Sequence, residues 1–346
     1  MSFIASAVLV RPVWKIDLKH IATRLTSTPG AKRVAAASEA ALVSVAEFGR
    51  HSVQTVALNE PASHLAIDPA GGSLAVVGAS RKLQLLGLKP HTFGRELARL
   101  EEPVYDVCAF SRDGARLWAV AALPDGTAEV RCYDAQSWEL TGRMPFKPLI
   151  GGCGFWLTLH PQDDLLGLWA IGGPDELWNY WVRMTAAGVE LRRQPELDGS
   201  TAPAFNTRGD RFAVIKGYDL LTFSFPDCTS LYPPMTLDDD DTLFENICYL
   251  DSAGEDRVLG HTNQGRVFVA APERGELIAE VRLEGHEPRP CYQVYPGLSR
   301  TDNHLCGDLY NFTPVGSNLV LSVHTNGRVS DDRKDTLLLW RAPHGE

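Results

Sequence analysis

A turn motif recurs along the chain, each time between two short apolar segments. Its matching positions are Gly30, Gly72, Gly114, Asp163, Gly209, Gly254 and Gly316. They are separated by 42, 42, 49, 46, 45 and 62 residues. Self-similarity at a fixed period near 45 residues is the signature of a repeat architecture in which each repeat is one supersecondary unit. The pattern predicts seven such units along the 346 residues.

The clearest copy of the repeat runs over residues 105–140. Apolar strands at 107–110, 116–121 and 129–133 alternate with polar turns, and Gly114 supplies the positive φ that the first turn needs. A four-stranded sheet of this kind has two apolar faces and cannot bury both alone. Sheets packed face to face around an axis bury both, as nearly continuous apolar runs require. The sequence therefore predicts an all-β, seven-bladed β-propeller of four-stranded antiparallel blades.

The predicted domain is a single β-propeller over residues 1–346. The approximate blades are 20–61, 62–104, 105–152, 153–200, 201–243, 244–289 and 290–346. Only six residues follow the third strand of the last blade, so that blade lacks a fourth strand of its own. The apolar stretch 3–10 belongs to no unit. We expect this N-terminal strand to join the last blade and close the ring, which removes an open edge.

Charge and cysteine content restrict the classes of partner. The net charge is −10, from 33 basic and 43 acidic residues, and no Lys/Arg-rich run is present. This argues against nucleic-acid binding and against docking on an anionic membrane. A basic protein partner suits the charge, although solubility alone also accounts for it. Seven scattered cysteines without a C-x-x-C pair indicate reduced thiols in a cytoplasmic protein.

Several short motifs resemble those of the WD40/YVTN family of β-propellers. They are Gly285-His286 before the last unit, Trp340 at the end of its third strand, Tyr133-Asp134, and the turn 111–114. Arg341 stands where the family has Asp after Trp, and most units lack both Gly-His and Trp-Asp, so the His–Ser–Trp–Asp hydrogen-bond network of the family is expected to be largely absent. The resemblance implies a propeller fold. It implies an interaction scaffold more often than an enzyme, and fold alone does not decide between the two.

The most distinctive polar feature is a run of four aspartates between blades five and six. The longest insertion, 287–308, occupies the equivalent place between blades six and seven, and an acidic turn at 331–335 lies in blade seven. In a propeller these connections emerge on one face. We therefore predict an acidic docking face whose partner-binding residues are Asp238, Asp239, Asp240, Asp241, Asp331 and Asp332. The alternatives are a hard-cation site and plain solvated loops.

No motif for catalysis, a metal or a cofactor is present: the chain has no nucleophile elbow, P-loop, H-E-x-x-H or EF-hand loop. We assign no catalytic residue, no metal ligand and no cofactor. The histidines nearest to predicted loop ends, and so the candidates for a channel-facing site, are His160, His286 and His324.

Two further segments have competing interpretations. Residues 38–48 have helical propensity, but their register favours a β-hairpin. The aromatic cluster of blade four is interpreted as core rather than as surface anchors, because both faces of a blade are buried. Its members are Trp156, Trp169, Trp178, Tyr180 and Trp181.

The favoured function is a non-catalytic protein-interaction scaffold, which could be a subunit of a larger complex. A closed, rigid ring loses little entropy on binding and positions its loops well. The alternative is a propeller-type hydrolase or lactonase with a site at the channel mouth, with or without a bound metal ion. A small-molecule sensor pocket in the channel ranks third.

Overall fold

The computed structural model describes residues 6–20, 22–29, 32–147, 154–173, 176–237, 243–251, 256–262, 264–285, 312–316, 319–326 and 334–343. These residues form β-strands arranged in seven sheets, with one short 3-10 helix at Pro195–Leu197. No helix among them is long and apolar enough to cross a membrane.

The strands follow one another in the order of the blades. Two N-terminal strands come first, β1 (Ser6–Val10) and β2 (Trp14–Asp17). Blade one contains β3 (Arg24–Ser27), β4 (Arg33–Ala37), β5 (Leu42–Glu47) and β6 (Val53–Ala57). Blade two contains β7 (Ala62–Ile67), β8 (Ser73–Gly78), β9 (Leu83–Gly87) and β10 (Glu96–Leu100). Blade three contains β11 (Val104–Phe110), β12 (Arg116–Ala122), β13 (Ala128–Asp134) and β14 (Leu140–Phe146).

The remaining blades complete the series. Blade four contains β15 (Gly154–Leu159), β16 (Leu165–Gly173), β17 (Glu176–Thr185) and β18 (Gly188–Arg193). Blade five contains β19 (Ala204–Phe205), β20 (Arg211–Lys216), β21 (Asp219–Ser224) and β22 (Met235–Thr236). Blade six contains β23 (Phe244–Asp251), β24 (Asp256–Thr262), β25 (Val267–Ala271) and β26 (Glu276–Leu283). Blade seven contains β27 (Phe312–Gly316), β28 (Leu319–Asn326) and β29 (Lys334–Arg341).

Within each blade, strands that are consecutive in sequence are neighbours in the sheet and run antiparallel, as in the pairs β11–β12–β13–β14. The predicted fold class, a seven-bladed β-propeller of four-stranded antiparallel blades, is confirmed. Residues 38–48 form the turn that follows β4, then β5 and the start of the next turn, so the β-hairpin interpretation is also confirmed and the helical one is wrong.

The N-terminal segment closes the last blade, as predicted, but the strand that does so is β2. It pairs antiparallel with β29, with Trp14 opposite Leu339. The assignment of this role to residues 3–10 is wrong: β1 pairs in parallel with β26 and becomes a fifth strand of blade six. In β2, buried and exposed side chains alternate, as they do in a half-buried outer strand. This alternation is why a search for continuous apolar runs passes over it.

The hydrophobic core consists of clusters between successive blades. One joins blades one and two, one joins blades two and three, and one joins blades three and four. Two more join blades five and six, and blades six and seven. The middle strands are buried along almost their whole length, as in β8 and β24. This double-sided burial is the physical reason why the strands appear in the sequence as apolar runs.

Gly72, Gly114, Asp163 and Gly209 lie between the first and second strands of their blades, as predicted, whereas Gly316 is the last residue of β27. Gly30 and Gly254 lie outside the described residues. Gly114 has φ of +71°, which only glycine adopts freely, and the turn is fixed by Ser111 Oγ, which donates to Asp113 Oδ1 at 2.6 Å. In blade two the positive φ belongs to Gly71 and not to the matched Gly72. The repeat pattern therefore locates this turn to within one residue.

By its internal packing the chain divides into two compact units. One comprises Met1–Thr23, Ala46–Val53 and Ala204–Glu346, and the other comprises Arg24–Val45 and Gln54–Pro203. The second unit contains blades two to four, and the first contains blades five to seven. The single-domain organisation and the blade limits given above stay predictions.

Candidate functional site

The six predicted docking residues lie outside the described part of the chain, as do His286 and the insertion 287–308. Asp238, Asp239, Asp240 and Asp241 follow directly on Leu237, which is buried at the end of blade five. Asp331 and Asp332 precede β29. Their assignment therefore stays a prediction.

The last carboxylate of the acidic turn in blade seven is described, and it is not on the surface. Asp335 is completely buried, and its Oδ2 accepts the backbone N–H of Ala22 at 2.8 Å. The main chain of Asp335 also bonds to that of Leu18 and His20. Asp335 therefore fixes the connection that leaves β2, and the acidic face cannot extend to it.

Turns from different strands meet on one side of blades two and three. The N–H of Ser80, in the turn between β8 and β9, donates to Glu60 Oε2 at 2.6 Å, and Glu60 lies in the connection from blade one to blade two. The carbonyl of Arg81, in the same turn, accepts the N–H of Tyr105 at 2.7 Å at the start of blade three. Connections between blades and second-to-third strand turns thus share a face, which is the topology on which the docking-face prediction depends.

Polar side chains gather at this face on the first strands of blades one to three, which contact one another in the order β3, β7, β11. Arg81 joins them from the turn between β8 and β9. A β-bulge leaves Ser63 as the extra residue in β7 and Asp106 as the extra residue in β11. Bulges re-aim side chains and are common next to functional sites. We call the following residues the first-strand cluster: Arg24, Ser63, His64, Arg81 and Asp106.

Two contacts hold the basic residues of the first-strand cluster in place. Arg24 donates from Nε to the carbonyl of Ser63 at 2.6 Å. Arg81 donates from Nη2 to Asp106 Oδ2 at 2.5 Å, in a partly exposed ion pair. Burial raises the pKa of Asp106, and Arg81 opposes that rise. The carboxylate is therefore already matched by a guanidinium of this chain.

The imidazole of His64 lies beside the thiol of Cys108. The N–H of Cys108 donates to His64 Nδ1 at 3.4 Å, and Sγ lies 3.8 Å from the same nitrogen. Burial and the charge of Arg24 lower the pKa of His64 to about 4, and burial raises the pKa of Cys108. At neutral pH the pair is a neutral imidazole beside a thiol, not the thiolate that nucleophilic catalysis uses.

Other buried charges are paired across neighbouring strands. Asp256 of blade six accepts Arg211 Nη1 at 2.5 Å and the Tyr232 hydroxyl at 2.7 Å. Burial, together with Asp256, raises the pKa of Tyr232 to about 12. In the same blade, Glu280 lies 3.1 Å from Arg266 and 3.5 Å from Arg282. Burial acts to raise the pKa of Glu280, but the two arginines outweigh it, so the pKa is lowered. Such pairing is needed wherever ionised groups leave water, so these networks stabilise the frame.

The two described histidine candidates have structural surroundings. His160 is buried, and its Nδ1 accepts the backbone N–H groups of Gln162 and Asp163 at 3.3 and 2.9 Å, which caps a turn of blade four. His324 Nε2 lies 2.9 Å from Ser322 Oγ, and Ser322 Oγ accepts the indole N–H of Trp340 at 2.9 Å. Neither histidine belongs to the first-strand cluster. Blade seven thus contains a His–Ser–Trp chain of hydrogen bonds. That the family's network is largely absent from the chain stays a prediction.

The aromatic cluster of blade four is core only in part, because Trp156, Trp169 and Trp178 are half-buried. Tyr180 and Trp181 are buried, and Trp178 packs against the same core cluster as Tyr180. The outer side of Trp178 is covered by the guanidinium of Arg193, 4.8 Å from the ring centroid. Trp156 and Trp169 pack together at 4.7 Å.

Motif analysis missed the first-strand cluster because no spacing connects its members. The available signal was weaker: Asp106 interrupts an otherwise apolar strand, and Ser63-His64 does the same in β7. In the described part of the chain, no three His, Cys, Asp or Glu side chains are close enough together to hold a metal ion. No protein-family model matches the sequence, and no curated protein matches it.

Proposed function

We propose that this chain is a non-catalytic protein-interaction scaffold. The observation that carries the proposal is that three buried carboxylates are matched within the frame: Asp256 by Arg211 and Tyr232, Glu280 by two arginines, and Asp335 by a backbone N–H. Catalytic groups with perturbed pKa values are instead open to a substrate in a cleft. Because these buried charges stabilise the blades, we expect partner binding to use the loops and the edge strands.

The docking surface proposed for this scaffold is the acidic loop region of blades five to seven, with Asp238, Asp239, Asp240, Asp241, Asp331 and Asp332 as partner-binding residues. A net charge of −10 favours a basic region on the partner protein over nucleic acid or an anionic membrane. Loops on a rigid frame lose little entropy on binding, which suits a subunit of a larger complex.

We also propose that the chain is a divergent WD40-like propeller in the cytoplasm. Support for the family comes from the hydrogen bonds that join Trp340, Ser322 and His324 in blade seven. Support for the compartment comes from the cysteines: Cys108, Cys132, Cys228 and Cys248 are free thiols. Structural disulfides belong to oxidising compartments, so thiols fit a reducing one.

The hydrolase alternative requires carboxylates and histidines that converge on a substrate. In the first-strand cluster, Asp106 is bound by Arg81, and His64 faces a backbone N–H and a thiol rather than a carboxylate. A metal assay on purified protein, with a thermal-shift measurement in chelator, separates the two functions. A stoichiometric metal whose removal lowers the melting temperature would favour the hydrolase.

The scaffold proposal is tested by quantitative affinity purification with mass spectrometry. Wild-type protein is compared with a variant in which Asp238, Asp239, Asp240 and Asp241 are changed to Ser. We expect a partner recovered near stoichiometrically by the wild type and lost by the variant, with an unchanged melting temperature. Identical recovery would overturn the acidic docking face.

A further inference from the structure

The outer edge of blade six differs from the edges of the other blades. Its outermost strand is β1, which is added in parallel to β26 and is the terminal strand of this sheet among the described residues. Val8 and Val10 pack against the core cluster of blades six and seven. Ala7 and Leu9 point to the opposite side and are exposed, with Leu9 at 69%. An open, apolar edge strand is a template for pairing with another chain.

Other outer strands protect their edges. Charged side chains are exposed on β2 (Lys15), β10 (Glu96) and β18 (Arg192), and β14 contains Arg143 and Pro145. In β6 the exposed side chains include Gln54 and Thr55, and β22 is two residues long. Charge, proline and shortness are the usual means of blocking edge pairing. From residue 7 to residue 10, β1 has none of them.

The backbone of β1 is oriented for pairing on its outer side. The carbonyl of Val10 accepts the N–H of Glu284 at 2.9 Å, so the polar groups of Val10 face blade six. Successive residues of a strand point their N–H and C=O groups to alternate sides. The N–H and C=O of Leu9 therefore point away from β26, toward the position of a further strand.

The charges beside this edge are locally positive, in contrast to the acidic chain as a whole. Leu9 lies opposite Arg282 in the parallel register. Arg282 shares the carboxylate of Glu280 with Arg266, and Arg11 pairs with Glu284. Among the described contacts, three guanidinium groups thus face two carboxylates. An acidic side chain brought to this edge gains a partner, whereas a basic one is repelled.

We propose that β1 binds an extended segment of a partner protein by β-strand addition, and that this segment has alternating apolar side chains and at least one acidic residue next to Arg282. The backbone supplies affinity in this mode, and the alternate side chains supply specificity. This proposal rests on the scaffold function and names one element of the partner. It concerns a surface separate from the six aspartates.

A second copy of the chain fits this edge less well. Two β1 edges would bring the same arginine-rich surroundings together, and each chain carries a net charge of −10. A strand of five residues also buries far less than the roughly 1,200 Å² that stable protein interfaces require. An extended peptide segment needs only the backbone ladder and its flanking side chains.

The test uses two octapeptides that have valine at every second position. One of the intervening positions is aspartate in the first peptide and lysine in the second. Fluorescence anisotropy measures their binding to the full chain, and hydrogen exchange measures protection at residues 6–10. We expect the aspartate peptide to bind about tenfold more tightly than the lysine peptide and to protect these residues. Failure of the aspartate peptide to bind, or protection elsewhere, would overturn the proposal.

Two variants separate the backbone and charge contributions. Leu9→Pro removes the outward N–H at an edge position where proline is tolerated, and should weaken binding about tenfold or more. Arg282→Glu should reverse the preference between the two peptides, while Arg192→Glu on β18 is the matched control and should change nothing. Equal binding to Leu9→Pro would contradict β-strand addition.

Other occupants give different results. Dimerisation that Leu9→Pro abolishes would assign the edge to a second copy, and peptide binding that appears only after residues 286–311 are deleted would assign it to the chain itself. Either result overturns the proposal. Loss of partner recovery in the aspartate variant with peptide binding intact would leave both proposals standing, because the two tests address different residues.

Discussion

Arg211 of blade five donates to Asp256 of blade six at 2.5 Å. Each of the two residues is the first residue of the second strand of its blade. The same position is an arginine in blades one and three. Arg33 donates to the carbonyl of Gly71 in blade two, and Arg116 pairs with Asp164 in blade four. An arginine at alternate blades thus ties each of three blade pairs together at the turn that defines the sequence repeat.

The Arg211–Asp256 pair should contribute more to stability than its counterpart in blades three and four. The Asp256 side chain is 8% exposed, whereas that of Asp164 is 40% exposed. Asp256→Ala leaves a partly buried guanidinium and the Tyr232 hydroxyl without their acceptor, and should lower the free energy of unfolding by about 3 kcal/mol. Asp164→Ala should lower it by less than about 1 kcal/mol. Urea denaturation measures both, and equal losses would contradict the ranking.

The hydrogen bond between Trp340 and Ser322 should stabilise blade seven. Ser322→Ala removes the acceptor of a buried indole N–H, and should lower the free energy of unfolding by about 1–2 kcal/mol. Ser322→Thr keeps the hydroxyl and serves as the rescue variant. Chemical denaturation of the three proteins tests this, and a loss in Thr as large as in Ala would show that the hydroxyl is not responsible.

Truncation of the N-terminus should separate β1 from β2. Deletion of residues 1–10 removes the fifth strand of blade six but keeps β2, so we expect a lower melting temperature with a cooperative transition. Deletion of residues 1–18 also removes β2 with its buried side chains Trp14 and Ile16, and should abolish cooperative unfolding. Thermal melting curves recorded by circular dichroism measure the melting temperature and the cooperativity of both variants. Cooperative unfolding of the longer deletion would contradict closure by β2.

Stability should fall as the pH drops from about 6.5 toward 4. Burial lowers the pKa of His261 to about 4, so the unfolded chain takes up a proton in this range that the folded chain does not. The cost grows to about 2–3 kcal/mol at the acidic end. His261→Gln should reduce the dependence of unfolding free energy on pH but not remove it, because the lowered pKa of His64 acts in the same range, and His91→Gln, at an exposed histidine, is the control. The same slope in both variants would contradict this account.

The sequence predicts the fold well because each blade obeys the same constraint. Two apolar faces and a glycine turn such as Ser111–Gly114 recur in register, and double-sided burial produces apolar runs that are visible without coordinates. The sequence analysis did not predict β2, because only one face of this strand is buried and Trp14 and Ile16 alternate with Lys15 and Asp17. Repeats therefore reveal middle strands more readily than outer ones.

The candidate site was much less predictable. His64, Asp106 and Arg24 come from three blades, and only packing of β3, β7 and β11 brings them together. Asp335 shows the opposite error: a run of charges in the sequence suggests a solvated turn, yet its last member is buried to hold the backbone of Ala22. Charge patterns in loops do not reveal which carboxylates the main chain requires.

The most direct test of the scaffold proposal is hydrogen–deuterium exchange of the chain with and without its co-purified partner. The account predicts protection at residues 6–10 and in the peptides that contain Asp238–Asp241 and Asp331–Asp332, and unchanged exchange in blades two to four. Protection confined to the first-strand cluster around Arg24, His64 and Asp106 would contradict it and would place recognition in blades one to three.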